Sequence, residues 1–338
     1  MFPVCHFGFF AGVNTYRKGI IFGTAAYILW GLSAIYWKQL KQVYPMQLLC
    51  HRIVWAQPIA TAVLVVSGSA KTMWADFKWS TLPFYFVTAT LLGVNLFVSI
   101  WATNAGFIVE LSLGYFTSPL VSVLLGVLCL RGRLSCWQWV AVALAVSGIL
   151  TITFVYGKLP WVALVLAFDF GFYALLQKKA PLQPVQGITI EMTLLSLPCI
   201  AYLVTQHIRG LSAFANLSLG YDLLMVGLGV LTITPQLLFS TAIKCIPMTV
   251  MGLLQFIGPT LNIITGAVIY QEPFETFKAI GFAQIWLGLV IYTWQLFQLN
   301  RQATQPSQAA AVESPRADCH PSTSFVQETS VVVTTFLA

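Results

Sequence analysis

A chain of 338 residues with 58% hydrophobic residues, 8% charged residues and a mean hydropathy of +0.82 is excluded from the water-soluble class, in which roughly a quarter of residues are charged. The formal charge of +7 does not indicate nucleic acid, because the lysines and arginines fall in ones and twos between apolar runs and line no single face. The seven cysteines form no CxxC pair and no histidines cluster at ligand spacing, so neither a disulfide framework nor a metal site is expected, and no cofactor.

Apolar runs long enough for the ~20 residues that cross a bilayer as helix recur along almost the whole chain. Segmented at charges and turn residues, they predict ten spans. These lie near Gly19–Trp37, Gln47–Val66, Leu82–Thr103, Gly106–Leu130, Cys136–Tyr156, Pro160–Gln177, Gly187–Val204, Leu223–Ile243, Met248–Tyr270 and Phe274–Leu296. The division is a segment 1–18, a first five-helix repeat 19–156, a second repeat 157–298 and a tail 299–338. Serine, threonine, glutamine, alanine and proline dominate the tail, which is expected to be disordered. The N-terminus lacks the order of a cleavable leader, so the first span is expected to serve as an uncleaved signal.

With the N-terminus inside, the cytoplasmic segments hold Arg17, Lys18, Lys71, Lys78, Arg131, Arg133, Lys178, Lys179, Lys244, Arg301 and Arg316. The other side holds Lys38, Lys41, Arg52, Lys158, Arg209 and Lys278. That excess predicts a multi-pass plasma-membrane protein with both termini cytoplasmic.

Sliding the chain by 140 residues places Phe116 on Phe256, Pro119 on Pro259, Gly126 on Gly266 and Gly148 on Gly288. SLGYFTSPLVSVLLG and GLLQFIGPTLNIITG then share a pattern. On the first, Ser112, Tyr115, Pro119, Ser122 and Gly126 occupy one helical face; on the second, Gly252, Gln255, Pro259, Asn262 and Gly266 do. Small residues on such a face make a close-packing seam, whereas Tyr115, Gln255 and Asn262 at bilayer depth need a partner or a wet cavity. The prolines Pro119, Pro235 and Pro259 free carbonyls and are candidate helix kinks. Five spans per half leave the second half inverted, which is the architecture of transporters with a site at the repeat interface.

The motifs YILWGLSAIYWK (Tyr27 to Lys38), HRIVW (His51 to Trp55), SLGYFTSPLVSVLLG, LPWVALVLAFDFGFYALLQKK (Leu159 to Lys179), TITPQLLF (Thr232 to Phe239), LLQFIGPTLNIITG and YQEPF (Tyr270 to Phe274) occur in an order that resembles RarD-type permeases of the EamA branch of the drug/metabolite transporters. The resemblance runs from about Gly19 to Gln298. It implies ten helices in two five-helix halves and a permease role, tied by name to chloramphenicol sensitivity. The chain departs from the family pattern at Gln47, where Glu is usual, at Arg131-Gly132-Arg133, at Asp169, where a small hydroxyl residue is usual, and at Gln177, where Arg is expected. Glu272 is kept.

Arg52 lies inside the second span, where it either snorkels to the interface or meets an anionic group on a solute or another helix. His51 is a proton-sensitive neighbour or a hydrogen-bonded structural histidine. Asp169 and Glu191 are the proton or ion coupling candidates, because a buried carboxylate can take up a proton when its site faces one side and release it when water arrives. Asn95, Thr232 and Gln236 add polar groups to the pathway or bond neighbouring helices. Trp30, Trp101, Tyr115 and Tyr173 either stack on a solute or pack. Glu110 is read as ordinary electrostatics at the start of the fourth span.

The expected function is a secondary transporter moving a small organic solute by alternating access, with the lipid bilayer as its surroundings and a homodimer as an admissible assembly. No GxxxxGK[ST] loop supplies ATP chemistry, and no HExxH or GxSxG supplies an enzyme site. The competing reading is a non-transporting membrane scaffold or sensor that uses the tail.

Overall fold

The computed structural model describes residues 9–40, 42–105, 107–132, 134–157, 160–265 and 268, and then 280–295 except 282, 289, 292 and 293. The described residues are helical, with short connections. The elements are α1 (Phe9–Gln39), α2 (Pro45–Val66), α3 (Ser69–Asp76), a 3-10 turn (Trp79–Thr81), α4 (Leu82–Asn104), α5 (Ile108–Leu130), α6 (Cys136–Tyr156), α7 (Trp161–Lys179), α8 (Pro184–Ile208), α9 (Leu219–Cys245), α10 (Met248–Leu254) and α11 (Ile257–Ile264). Eight of the described helices are long and apolar enough to cross a bilayer.

Local chemistry sets several of the ends. Ser135 and Gln138 close a capping box at α6, with Ser135 N donating to Gln138 Oε1 at 2.8 Å and Gln138 N donating to Ser135 Oγ at 3.3 Å. Pro45 and Pro184 open α2 and α8, where a missing N–H costs nothing. Gly157 ends α6 at φ +71°, a conformation that glycine adopts without penalty. The first helix begins at Phe9, ahead of the predicted Gly19, because no proline interrupts the stretch that carries Arg17 and Lys18.

The expected ninth span is broken. α10 and α11 are separated at Gln255 and Phe256, four residues before Pro259, which has no N–H to return to the Gln255 carbonyl. Its counterpart Pro119 leaves α5 continuous; there the hydroxyls of Thr117 and Ser118 donate to the carbonyls of Leu113 and Gly114, each at 2.8 Å. The expected tenth span is described only in its helical parts between 280 and 295; Gly266, Glu272 and the tail lie outside the described residues.

Helix packing comes in twos. α7 lies on α5 as α1 lies on α11, α4 on α7 as α9 on α1, and α4 on α8 as α9 on α2, while α2·α8 and α5·α10 pair the halves directly. The atoms repeat the pattern. A β-carbon at Gly171 would fall 2.7 Å from Val121, and one at Gly31 would fall 2.8 Å from Leu261, each residue shifted by 140. A β-carbon at Gly148 would meet the Gly281 carbonyl oxygen at 2.5 Å, and one at Gly288 would meet the Ala141 carbonyl oxygen at 2.7 Å, again the same offset. Glycine at these places lets backbones approach where lipid supplies no hydrophobic force to join helices.

Candidate transport site

Arg52 stands about 10 Å along α2 from Pro45, at 1.5 Å per residue. Its Nε donates to Thr232 Oγ1 at 2.8 Å, and its guanidinium carbon lies 5.1 Å from the Trp37 ring centroid. The Thr232 hydroxyl spends its own proton on the Leu228 carbonyl at 2.7 Å, so it meets Arg52 as an acceptor. Among the described residues, no carboxylate lies within ion-pairing distance of Arg52. Tyr115, on the α5 stripe, is 37% exposed.

His51 is buried with the Phe214 ring tilted over it at 5.2 Å, and neither ring nitrogen has a hydrogen-bond partner. Phe214 belongs to the α8–α9 connection, which also covers Trp55 at 5.7 Å. Gln47 fastens that connection with both ends of its amide: Nε2 donates to the Leu211 carbonyl at 2.7 Å, and Oε1 accepts from Ala213 N at 2.8 Å. Ala215 takes φ +63° there, with its N–H donated to Asp222 Oδ1 at 2.9 Å.

On α7, Asp169, Tyr173 and Gln177 form one ridge. Asp169 is buried with Oδ2 unpartnered and the Asn95 side chain alongside; the Asn95 amide also reaches the Leu166 carbonyl at 3.5 Å. Glu191, fully buried, accepts from Thr88 Oγ1 at 2.5 Å and Gln177 Nε2 at 2.8 Å on one oxygen, and from Tyr173 OH at 3.0 Å on the other. Tyr173 OH accepts in turn from Gln177 Nε2 at 2.7 Å and from Gln236 Nε2. That assembly joins α4, α7, α8 and α9 and gives the Glu191 carboxyl three donors.

Trp30 belongs to an aromatic group with Tyr27 at 5.4 Å, Phe239 at 5.6 Å and Phe170 at 6.2 Å; Tyr173 stacks on Phe239 at 6.2 Å. The α5 stripe divides. Ser122 Oγ donates to Gln255 Oε1 at 3.1 Å, and a β-carbon at Gly252 would lie 2.9 Å from the Pro119 carbonyl oxygen, so this part is a seam between α5 and α10. Ser112 and Asn262 are half-buried nearer the other end, where Asn262 Oδ1 has no partner. Trp101 is 39% exposed and stacks on Phe107 at 5.4 Å, with Trp161 at 5.6 Å, away from the aromatic group around Trp30. Pro235 is buried within α9. Among the described residues, no group of three or more His, Cys, Asp or Glu side chains could hold a metal ion.

Several contributors carry little sequence signal. Thr88 shares an α4 face with Asn95, two turns away, and that periodicity is what could have revealed it. Phe214 and the Gln47 clamp depend on a connection whose path no local pattern encodes. Glu110 accepts from Val162 N at 3.0 Å, so it serves the start of α7 as well as opening its own helix.

The EamA-like transporter family model matches residues 17–154 and again 159–294, one copy for each half of this paired architecture. The chain belongs to the EamA-like transporter family. Within that family it is similar to "Uncharacterized transporter YojE" of Bacillus subtilis, 38% identical over 84% of this chain and 96% of the relative. It is also similar to "Protein RarD" of Streptomyces exfoliatus, 34% identical over 88% and 95%, and of Escherichia coli, 33% identical over 86% and 98%. A solved crystal structure with 18% identity superposes with a TM-score of 0.62 over 83% of this chain and 98% of its own, and shares the fold. This EamA protein is thus a RarD-type, multi-pass membrane transporter with the ten-helix drug/metabolite transporter fold in two inverted halves.

Proposed function

We propose that this EamA protein is a secondary transporter that moves a small organic solute across the plasma membrane by alternating access, with both termini cytoplasmic and with Asp169 coupling transport to protons. The observation that carries it is the unequal tightness of the two ends of a symmetric body. Toward the α9–α10 connection, α5 and α10 are closed on one another: a β-carbon at Gly126 would already touch Met248 at 3.3 Å, and the aromatic group around Phe239 fills the centre. Toward the opposite end, Tyr115 on α5 is exposed and Arg52 on α2 is only partly buried. Because the helix pairings of one half recur in the other, exchanging the two arrangements moves the opening to the other face. An enzyme needs no such exchange.

Flux through proteoliposomes of the full chain tests the proposal. An imposed proton gradient is expected to drive accumulation of an organic solute drawn from a metabolite mixture, with counterflow when the solute is preloaded. Absence of any protein-dependent flux under either gradient sign would overturn it.

A further inference from the structure

We infer that Arg52 is the anion-binding element of the transport site and that the solute it receives carries a single carboxylate. This rests on the transport reading of the same interior and names what that interior accepts. Arg52 is a fixed cation in the helical body, partly accessible and held from two sides. Trp37 lies against the guanidinium, and Thr232 occupies Nε. What remains free is the end-on edge of the fork, whose paired N–H groups match the two oxygens of one carboxylate.

The described carboxylates of the surrounding helices do not neutralise it. Glu110 serves Val162 N, Glu191 takes three donors of its own, Asp222 is on Ala215 N, and Asp169 stands beside Asn95. An uncompensated guanidinium at this depth is costly, and an anion entering with the solute removes the cost. A single arginine balances a single charge, which favours a carboxylate over a dianionic phosphate.

Purified full-length protein in lipid nanodiscs is titrated with acetate, butyrate, phenylacetate and indole-3-acetate, with phenylacetamide as neutral isostere and benzylphosphonate as dianion, reading the unfolding temperature and binding heat. The expected result is saturable binding of at least one of the four acids, at least ten-fold tighter than that of phenylacetamide or benzylphosphonate. Arg52→Gln is expected to weaken it at least ten-fold, and Arg52→Lys less. If Arg52→Gln does not fold, Thr232→Val, which frees Nε without removing the charge, is expected to shift the acid's affinity and leave that of the amide unchanged. Binding of none of the acids, or equal binding of acid and amide, or equal acid binding by the wild type and by whichever of these variants folds, overturns the inference. Binding without flux would instead sink the transport reading, and flux of a neutral solute unchanged in Arg52→Gln would leave transport standing while this assignment fails.

Discussion

The ring of Trp30 meets the ring of Phe170 edge-on, centroids 6.2 Å apart, and the two residues hold the same place in the two halves, 140 positions apart. The contact therefore sits on the pseudo-two-fold relation itself, where the halves must separate if the closed end opens. Trp30→Ala and Phe170→Ala are each expected to lower thermal stability, by about 2–5 kcal/mol for a large side chain removed from a packed interior. In a double-mutant cycle the pair is expected to couple by about 0.5–1.5 kcal/mol. Unfolding of the four proteins in detergent measures both quantities. Additivity within error would show that the rings merely adjoin.

Asp169 and Glu191 are both buried carboxylates, and their surroundings separate their roles. Glu191 accepts from Thr88, Tyr173 and Gln177, so Glu191→Gln turns an acceptor oxygen into a donor that faces donors. It is expected to cost about 1–3 kcal/mol of stability. Asp169 has an oxygen with no partner to lose, so Asp169→Asn is expected to leave stability within about 0.5 kcal/mol while gradient-driven flux disappears. Parallel melting curves and proteoliposome assays check the contrast. Unchanged pH dependence of flux in Asp169→Asn would remove that residue from the coupling step.

Gln47 holds the α8–α9 connection through hydrogen bonds of 2.7 and 2.8 Å. At about 0.5–1.5 kcal/mol each, their loss in Gln47→Ala is expected to raise the population of the locally opened connection by roughly 5- to 160-fold. Exposed Arg209 at its start makes trypsin a suitable probe. Faster cleavage there, with the global melting temperature little changed, is the expected outcome. Gln47→Glu tests the other half of the clamp, since a carboxylate still accepts from Ala213 N but offers nothing to the Leu211 carbonyl.

The helices were legible because an apolar run of span length has few other ways to satisfy its backbone in lipid. The inverted pairing was legible because the same residue types recur at one offset, as Pro119 and Pro259 do. The break at Gln255 was not, since Pro119 in the equivalent place leaves its helix whole. For the site, residue chemistry singled out Arg52, Asp169, Glu191 and Tyr173. Their division into one saturated cluster and two groups with open valences depends on partners such as Thr88 on helices far away in the chain. No periodicity within one helix carries that information.

Gly148 and Gly288 offer a test of the repeat at the level of single atoms. A β-carbon at either would intrude on a backbone carbonyl oxygen, Gly281 at 2.5 Å in one case and Ala141 at 2.7 Å in the other. Backbone cannot swing aside as a side chain can, so α6 and the facing helical segment must move apart, which costs about 1–3 kcal/mol for overpacking of this kind. Gly148→Ala and Gly288→Ala are expected to destabilise by similar amounts, because the two sites are the same contact in opposite halves. By contrast, Gly171→Ala meets side-chain atoms of Val121 and Leu125 in place of a backbone carbonyl and is expected to cost less. Melting temperatures of the three variants in one detergent give the comparison, and a large difference between the first two would show that the halves are not equivalent where α6 meets its partner.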